Sequence, residues 1–200
     1  VLSGTTLTMP SYNITVTGTT EICTPSEIEI TSANFTDYFD YNGDFEYSTN
    51  ATPTTSLADG GSATKGGYFL KANVAAESTL DFKGDFIPDA SGNYNPRIFI
   101  NKRVNITSSD KDAVFKPYIS NDKTVKLYWN FGILEGADYT EVKNLKFKNC
   151  WVINHGSSYV TFDGIDLKVE DVRISSIGAL SIRTLQVGAH ASDHTTVKNS

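Results

Sequence analysis

One short phrase recurs in the last third of the chain and constrains the fold more than any other feature. Residues 138–144 read DYTEVKN, residues 193–199 read DHTTVKN, and between them 159–164 reads YVTFDG in the same register. With Val142, Phe162 and Val197 aligned, Asn144, Gly164 and Asn199 fall two positions later in all three copies. Asn and Gly tolerate positive φ, so each is read as a one-residue corner. Alternation resumes beyond the first two corners, at Leu145 and Phe147 and at Ile165 and Leu167, so each copy is a strand, a corner and a second strand. Copies set roughly 20 residues apart, with a longer interval before the third, are the mark of a β-solenoid. The expected fold is all-β: a right-handed parallel β-helix with solenoid corners at Asn144, Gly164 and Asn199 and a short N-terminal capping helix.

The chain divides at the expected start of that solenoid. Residues 1–66 carry N-terminal strands, the capping helix and a loop; residues 67–200 form the parallel β-helix, which is expected to continue beyond residue 200. Tyr12, Ile14 and Val16 share one strand face, and Ile28 and Ile30 another after Thr24-Pro25-Ser26. The stretch 31–47 has the one convincing helix start. Ser32 or Asn34 can cap it, Phe35, Tyr38 and Phe39 lie at i, i+3 and i+4, and Asn42-Gly43 ends it. Such a helix would cover the apolar end of the first coil. Residues 48–67 are rich in Thr, Ser, Ala and Gly without periodicity and read as an exposed loop. From Tyr68 onward alternating groups return: Leu80, Phe82 and Phe86 around Lys83-Gly84-Asp85, then Ile98, Ile100, Val104 and Ile106 around Asn101-Lys102. The sequence stops at Asn199-Ser200 within the recurring phrase, so the expected C-terminal end is an open β edge, covered by further chain or by another subunit.

The helix stretch also holds the metal candidate. Asp37, Asp40, Asn42, Asp44 and Glu46 surround Gly43 with the oxygen-rich spacing of a calcium loop, although Glu46 comes too soon for the bidentate ligand. A polar turn is the plainer reading, and no cofactor besides calcium is suggested. Cys23 and Cys150 lack C-x-x-C spacing; they are read as a candidate disulfide or as two buried thiols. Four sequons, at Asn13, Asn34, Asn50 and Asn105, are candidate glycosylation sites, in a chain so rich in Asn, Ser and Thr that several arise by chance.

Charge narrows the partners. A net charge of −6 with few, dispersed Lys and Arg argues against nucleic acid and against anionic membrane surfaces. No run approaches the roughly 18 apolar residues of a membrane span. The first residues, VLSGTTLTMP, lack the basic flank and apolar core of a signal peptide, as they would if one had been removed. Sparse charge with abundant Thr, Ser, Asn and Gly suits a β-rich extracellular surface.

The segments ITSANFTDYFDYNGDFEY, ESTLDFKGDF, RIFINKRVNITSSDKDAVF, TEVKNLKF and VTFDGIDL together resemble the N-terminal region of the large adhesin-like surface proteins of methanogenic archaea, over about residues 28–200. The resemblance implies a secreted, cell-surface protein of attachment or envelope type and transfers no catalytic residues.

The expected function is therefore that of an extracellular structural or adhesive cell-surface protein, non-catalytic, whose exposed solenoid faces and loops bind a polysaccharide or protein. The alternative is a subunit that assembles into a surface layer or filament through the open C-terminal end. A second alternative, a polysaccharide lyase or hydrolase, has fragments to point to: Asn154-His155-Gly156 and Asp163, or Asp163, Asp166, Glu170, Asp171 and Arg173. A solvated outer face explains those residues more simply. His190, Asp193 and His194 could meet at a corner as a metal or proton-transfer site, though incidental histidines are commoner. Tyr41, Tyr47, Tyr94, Tyr118, Tyr128 and Tyr159 are candidates for stacking on sugars, or ordinary strand composition.

Overall fold

The computed structural model describes residues 2–3, 6–9, 12–15, 19–20, 24–46, 65–89, 96–124, 126–168, 180–182 and 194–200. The side chains of 24–43, 66–89, 96–124, 126–154, 156–168 and 194–200 are described with them. Near the N-terminus β1 (Leu2–Ser3) pairs antiparallel with β4 (Thr19–Thr20), and β2 (Thr6–Met9) with β3 (Tyr12–Thr15).

Three larger sheets carry the rest. The first has six parallel strands: β5 (Glu27–Ile30), β8 (Thr79–Phe82), β11 (Asn105–Thr107), β16 (Glu141–Lys143), β19 (Thr161–Asp163) and β22 (Thr196–Lys198). The second holds β6 (Phe39–Glu46), β7 (Lys65–Leu70), β10 (Arg97–Ile100), β15 (Asn130–Leu134), β18 (Trp151–His155) and β21 (Leu180–Ile182). Its members are parallel except β6, which runs antiparallel to β7. The third has four parallel strands: β9 (Asp85–Phe86), β12 (Val114–Phe115), β17 (Lys146–Lys148) and β20 (Asp166–Lys168). A hairpin of β13 (Tyr118–Ile119) and β14 (Lys126–Leu127) stands apart.

Register places like on like. In the first sheet Ile28, Leu80, Ile106, Val142, Phe162 and Val197 are successive partners. In the third, Phe86, Phe115, Phe147 and Leu167 are. The rings of Phe86, Phe115 and Phe147 stack at 4.9 and 5.2 Å with planes within 19°. All of these but the exposed Val197 face one continuous core with Ile98, Phe131 and Val152 of the second sheet. Each such side chain withdrawn from water is worth about 1.5–3 kcal/mol, so the core rather than any single contact fixes the register. A one-residue slip would turn the whole set to solvent. Among the described residues no helix is long and apolar enough to cross a membrane.

The expectation of a right-handed parallel β-helix with a short N-terminal capping helix is corrected by this arrangement. The chain is all-β but built of several separate sheets, one of them mixed, with antiparallel pairs outside the parallel ladders. Alternating apolar residues mark a strand and its buried face but carry no information on the direction of its partner. The helix shrinks to one turn, α1 (Phe35–Tyr38). Phe35 and Phe39 do meet, their rings stacked at 4.4 Å, but Phe39 is already extended at φ −124° and ψ 131°. Asn42-Gly43 consequently lies inside β6 rather than at a helix end. Asn34 makes no side-chain cap; its Oδ1 accepts from the Thr31 amide at 2.7 Å instead. The division at 66–67 falls within β7, and β5 and β6 share sheets with β8 and β7 across it.

Candidate functional site: an exposed aromatic column

The position two residues before each of the last five strands of the first sheet holds Glu77, Arg103, Tyr139, Tyr159 and His194 in turn. Four of them turn the chain into its strand with positive φ: 66° at Glu77, 63° at Tyr139, 58° at Tyr159 and 50° at His194. The parallel register brings their side chains into one column. Arg103 Nη1 donates to Glu77 Oε1 at 2.9 Å, and the guanidinium carbon lies 5.5 Å from the centroid of Tyr139. Tyr139 and Tyr159 stack at 4.7 Å, and Tyr159 and His194 at 4.6 Å, with planes 1° and 9° apart. Tyr139 is 55% and Tyr159 46% exposed, so the column is a surface feature and not core.

Its chemistry follows from the stacking. Ring faces are spent on one another, and solvent meets ring edges, phenol hydroxyls, imidazole and guanidinium. Aromatic edges carry the positive side of the ring quadrupole, and guanidinium is a donor only. The column is donor-rich. Its neighbouring carboxylates are engaged: Asp138 Oδ1 accepts from the Ser158 amide at 2.7 Å, and Glu141 pairs with Lys143 at 2.7 Å.

A second polar cluster sits where β8 meets the 108–113 loop. Lys83 Nζ lies 2.5 Å from Ser109 Oγ, 2.5 Å from Asp110 Oδ2 and 3.1 Å from Asp81 Oδ2. Ser109 donates to Asp81 from its hydroxyl at 2.7 Å and from its amide at 2.8 Å. A Ser beside a Lys is the geometry of an activated nucleophile, but the electrostatics oppose it. The hydrogen bond to Asp110, with Asp81 behind it, holds Lys83 above the usual lysine range, against the desolvation that would lower it. Desolvation alone would raise Asp81, yet the bonds from Ser109 and Lys83 hold it below the usual carboxylate range. A lysine kept charged cannot take a proton from Ser109. The cluster clamps the loop.

The expected metal residues are split between two elements, and only part of the set has described side chains. Asp37 lies on α1 while Asp40, Asn42, Asp44 and Glu46 follow one another along β6. Asp40 pairs with Lys71 at 3.4 Å, and the side chains of Asp44 and Glu46 lie outside the described residues. Among the described residues no three His, Cys, Asp or Glu are placed to hold a metal.

Of the sequons, Asn105 stands exposed on β11. Asn34 spends its amide on Glu29 O at 3.0 Å. The side chain of Asn13 and all of Asn50 lie outside the described residues, as does Cys23. Cys150 is a buried free thiol donating toward the carbonyls of Phe115 and Lys148 at 3.4 and 3.2 Å. Desolvation pushes it up to about 12.

The corner residues Asn144, Gly164 and Asn199 have φ of 57°, 66° and 53°. Asn199 Nδ2 donates to Asp163 Oδ1 at 2.8 Å, the largest influence holding Asp163 below the usual carboxylate range despite some desolvation; Lys198 and Lys143 add to it. Asp163 is thus a member of a corner ladder, and Asn154 faces the core rather than solvent. Asp166 is exposed on β20, while Glu170, Asp171, Arg173, His190, Asp193 and the His155 side chain lie outside the described residues. Of the tyrosines first singled out, Tyr128 is buried, Tyr118 half-buried, and Tyr41 and Tyr159 exposed, with Tyr47 and Tyr94 outside the description.

Sequence reasoning passed over Tyr139 and the role of His194. The signal was in the aligned phrases: Tyr139, Tyr159 and His194 each stand three positions before Val142, Phe162 and Val197. No protein-family model, curated protein or solved structure matches this chain.

Proposed function

We propose that this chain is an extracellular, non-catalytic structural or adhesive protein of a cell surface, which binds a polysaccharide or protein partner through its exposed faces and loops. The observation that carries the reading is the column Arg103, Tyr139, Tyr159 and His194, an exposed, self-stacked row running across the starts of successive strands of the first sheet. Rigid strands position it, and aromatic side chains supply contact area at low entropic cost. In the Ser109–Lys83 pair the lysine is kept charged by Asp110 and Asp81, which does not favour it as a base there.

The test is retention of the whole chain on surfaces coated with cell-envelope polysaccharide or protein, with soluble sugar ends assayed in parallel. Retention without release of reducing or unsaturated ends is the expected result. Release of such ends would transfer the chain to the lyase or hydrolase class.

A second reading, assembly of copies through a sheet edge, is favoured by β22. It lies at the edge of the first sheet with Val197 43% exposed, while the opposite edge strand β5 offers Glu29 at the register position where Lys198 would meet it. Light scattering across a concentration series distinguishes it: growth in mass favours assembly, and a constant mass removes it.

A further inference from the structure

Resting on the extracellular reading above, we propose that Asn105 is a site of N-linked glycosylation, supplied by a sugar donor carried on a lipid phosphate or diphosphate, and that the sequon at Asn34 is left bare.

The fold separates the two sequons whose Asn side chains are described. Asn105 opens β11, with Ile106 buried behind it and Thr107 on its own side of the strand, as residues two apart in a strand must be. The outer face of the first sheet therefore presents the acceptor amide and the sequon's hydroxyl residue together, with Asn105 exposed. Among the described residues the Asn105 amide has no hydrogen-bond partner. Its neighbours in register leave it room: Thr79 is short, and Glu141 is drawn along its own strand to Lys143 at 2.7 Å. Asn is depleted in strands, and this side chain makes no bond to offset that. Asn34 differs on each count. It is half-buried, its Nδ2 donates to Glu29 O at 3.0 Å, and its Oδ1 accepts from the amide and hydroxyl of Thr31 at 2.7 and 3.2 Å. A sugar on that nitrogen would crowd the turn these bonds close.

In the transfer, Asn105 Nδ2 forms a bond to the anomeric carbon of the donor sugar. The bond from that carbon to the phosphate oxygen breaks, the phosphate leaves with the electron pair, and the amide gives up one proton. Nothing is oxidised or reduced, and a bulky polar group is added at a surface already facing water.

The experiment is glycopeptide mapping of the full chain recovered from its source cells, with cytosolic, envelope and medium fractions kept apart. Trypsin, cutting after Arg103 and Lys111, releases VNITSSDK with Asn105. Cleavage after Glu29 and Glu46 releases Asn34 apart from Asn13 and Asn50. Electron-transfer fragmentation then tells a sugar on Asn105 from one on Thr107, Ser108 or Ser109. A glycan on Asn105 in the envelope or medium fraction, with Asn34 bare, is the expected result. Asn105→Gln and Thr107→Ala, produced in the same cells and shown by circular dichroism to be folded, should each lose that glycan, and Thr107→Ser should keep it. A chain outside the cytosol with Asn105 bare, with sugar only on a hydroxyl of that peptide, or with Asn34 equally occupied overturns the assignment and leaves the adhesive reading standing. A chain confined to the cytosol overturns both.

Discussion

Tyr139 and Tyr159 lie face to face, their ring centroids 4.7 Å apart and their planes within 1°. Both are held there by backbone in the left-handed region, φ 63° and 58°, which most L-residues avoid. The pair thus combines an attractive contact with a conformational cost on the same residues. Solvent-exposed strain of this kind persists where the surrounding register leaves the chain no other way to turn.

That opposition gives the first prediction. Tyr159→Ala removes both stacks and keeps the positive φ, so it should lower unfolding stability by about 1–3 kcal/mol, at about 0.5–1.5 kcal/mol per aromatic pair. Tyr159→Gly removes the same stacks but relieves the backbone, recovering about 1 kcal/mol. Urea denaturation should therefore rank wild type above Gly and Gly above Ala. An Ala variant at least as stable as Gly would mean the observed φ is not a cost.

The second prediction concerns the corner at Gly164. Its φ is 66°, and a Cβ built there would come 2.9 Å from Asn144 Oδ1 of the adjoining corner. Gly164→Ala should cost about 1–2 kcal/mol through the backbone and the close approach together. Asn144→Gly removes the obstructing amide, so the double variant should cost less than the sum of the singles. Strict additivity in a double-mutant cycle would show that the two corners do not touch in solution.

These corners also show what was legible in the sequence. Asn144, Gly164 and Asn199 could be aligned because positive φ restricts residue choice to a short menu, and Val142, Phe162 and Val197 because burial restricts it as strongly. Strand direction left no such mark: β6 alternates as the strands of the first sheet do, yet runs antiparallel to its neighbour β7. Nor could local pattern foresee Phe39. Spacing from Phe35 suits a helix, and the ring contact forms, but pairing with Leu70 draws the residue into a strand. Asn154, buried between Ile133 and Ile182 in register, depends on Ser157 O and Thr195 Oγ1 as acceptors at 3.0 and 2.7 Å, contacts three and 41 residues away. The aromatic column was readable in principle, and was missed because exposed positions carry no apolar periodicity to draw the eye.

Acid should expose the loop clamp. Asp81 has its folded pKa lowered, against desolvation, by Ser109 and Lys83, so the unfolded chain binds its proton more readily than the folded one. Its contribution to stability is present in full above the unfolded value of about 3.9, and is lost as pH falls through the lower folded value. Asp81→Ala should remove about 2 kcal/mol at pH 7, the worth of hydrogen bonds to a charged group, and a smaller amount at pH 2. A difference between wild type and Asp81→Ala that stays constant from pH 7 to pH 2 would show that the carboxylate's charge plays no part in holding the loop.

Cys150 provides a probe of the core itself. Burial pushes its thiol up to about 12 while it donates toward two backbone carbonyls. Little of it is then the thiolate, the form that reacts, at pH 8. Alkylation by a maleimide, mapped by peptide mass so that Cys23 is scored separately, should leave Cys150 unmodified in native buffer for hours and modify it at once in denaturant. Because reaction then requires opening of the sheets around Phe115 and Lys148, its rate should rise with urea in parallel with unfolding measured by fluorescence. Rapid labelling in native buffer would place this thiol at a site that opens locally, and would contradict the continuous core that Phe115, Phe147 and Cys150 share.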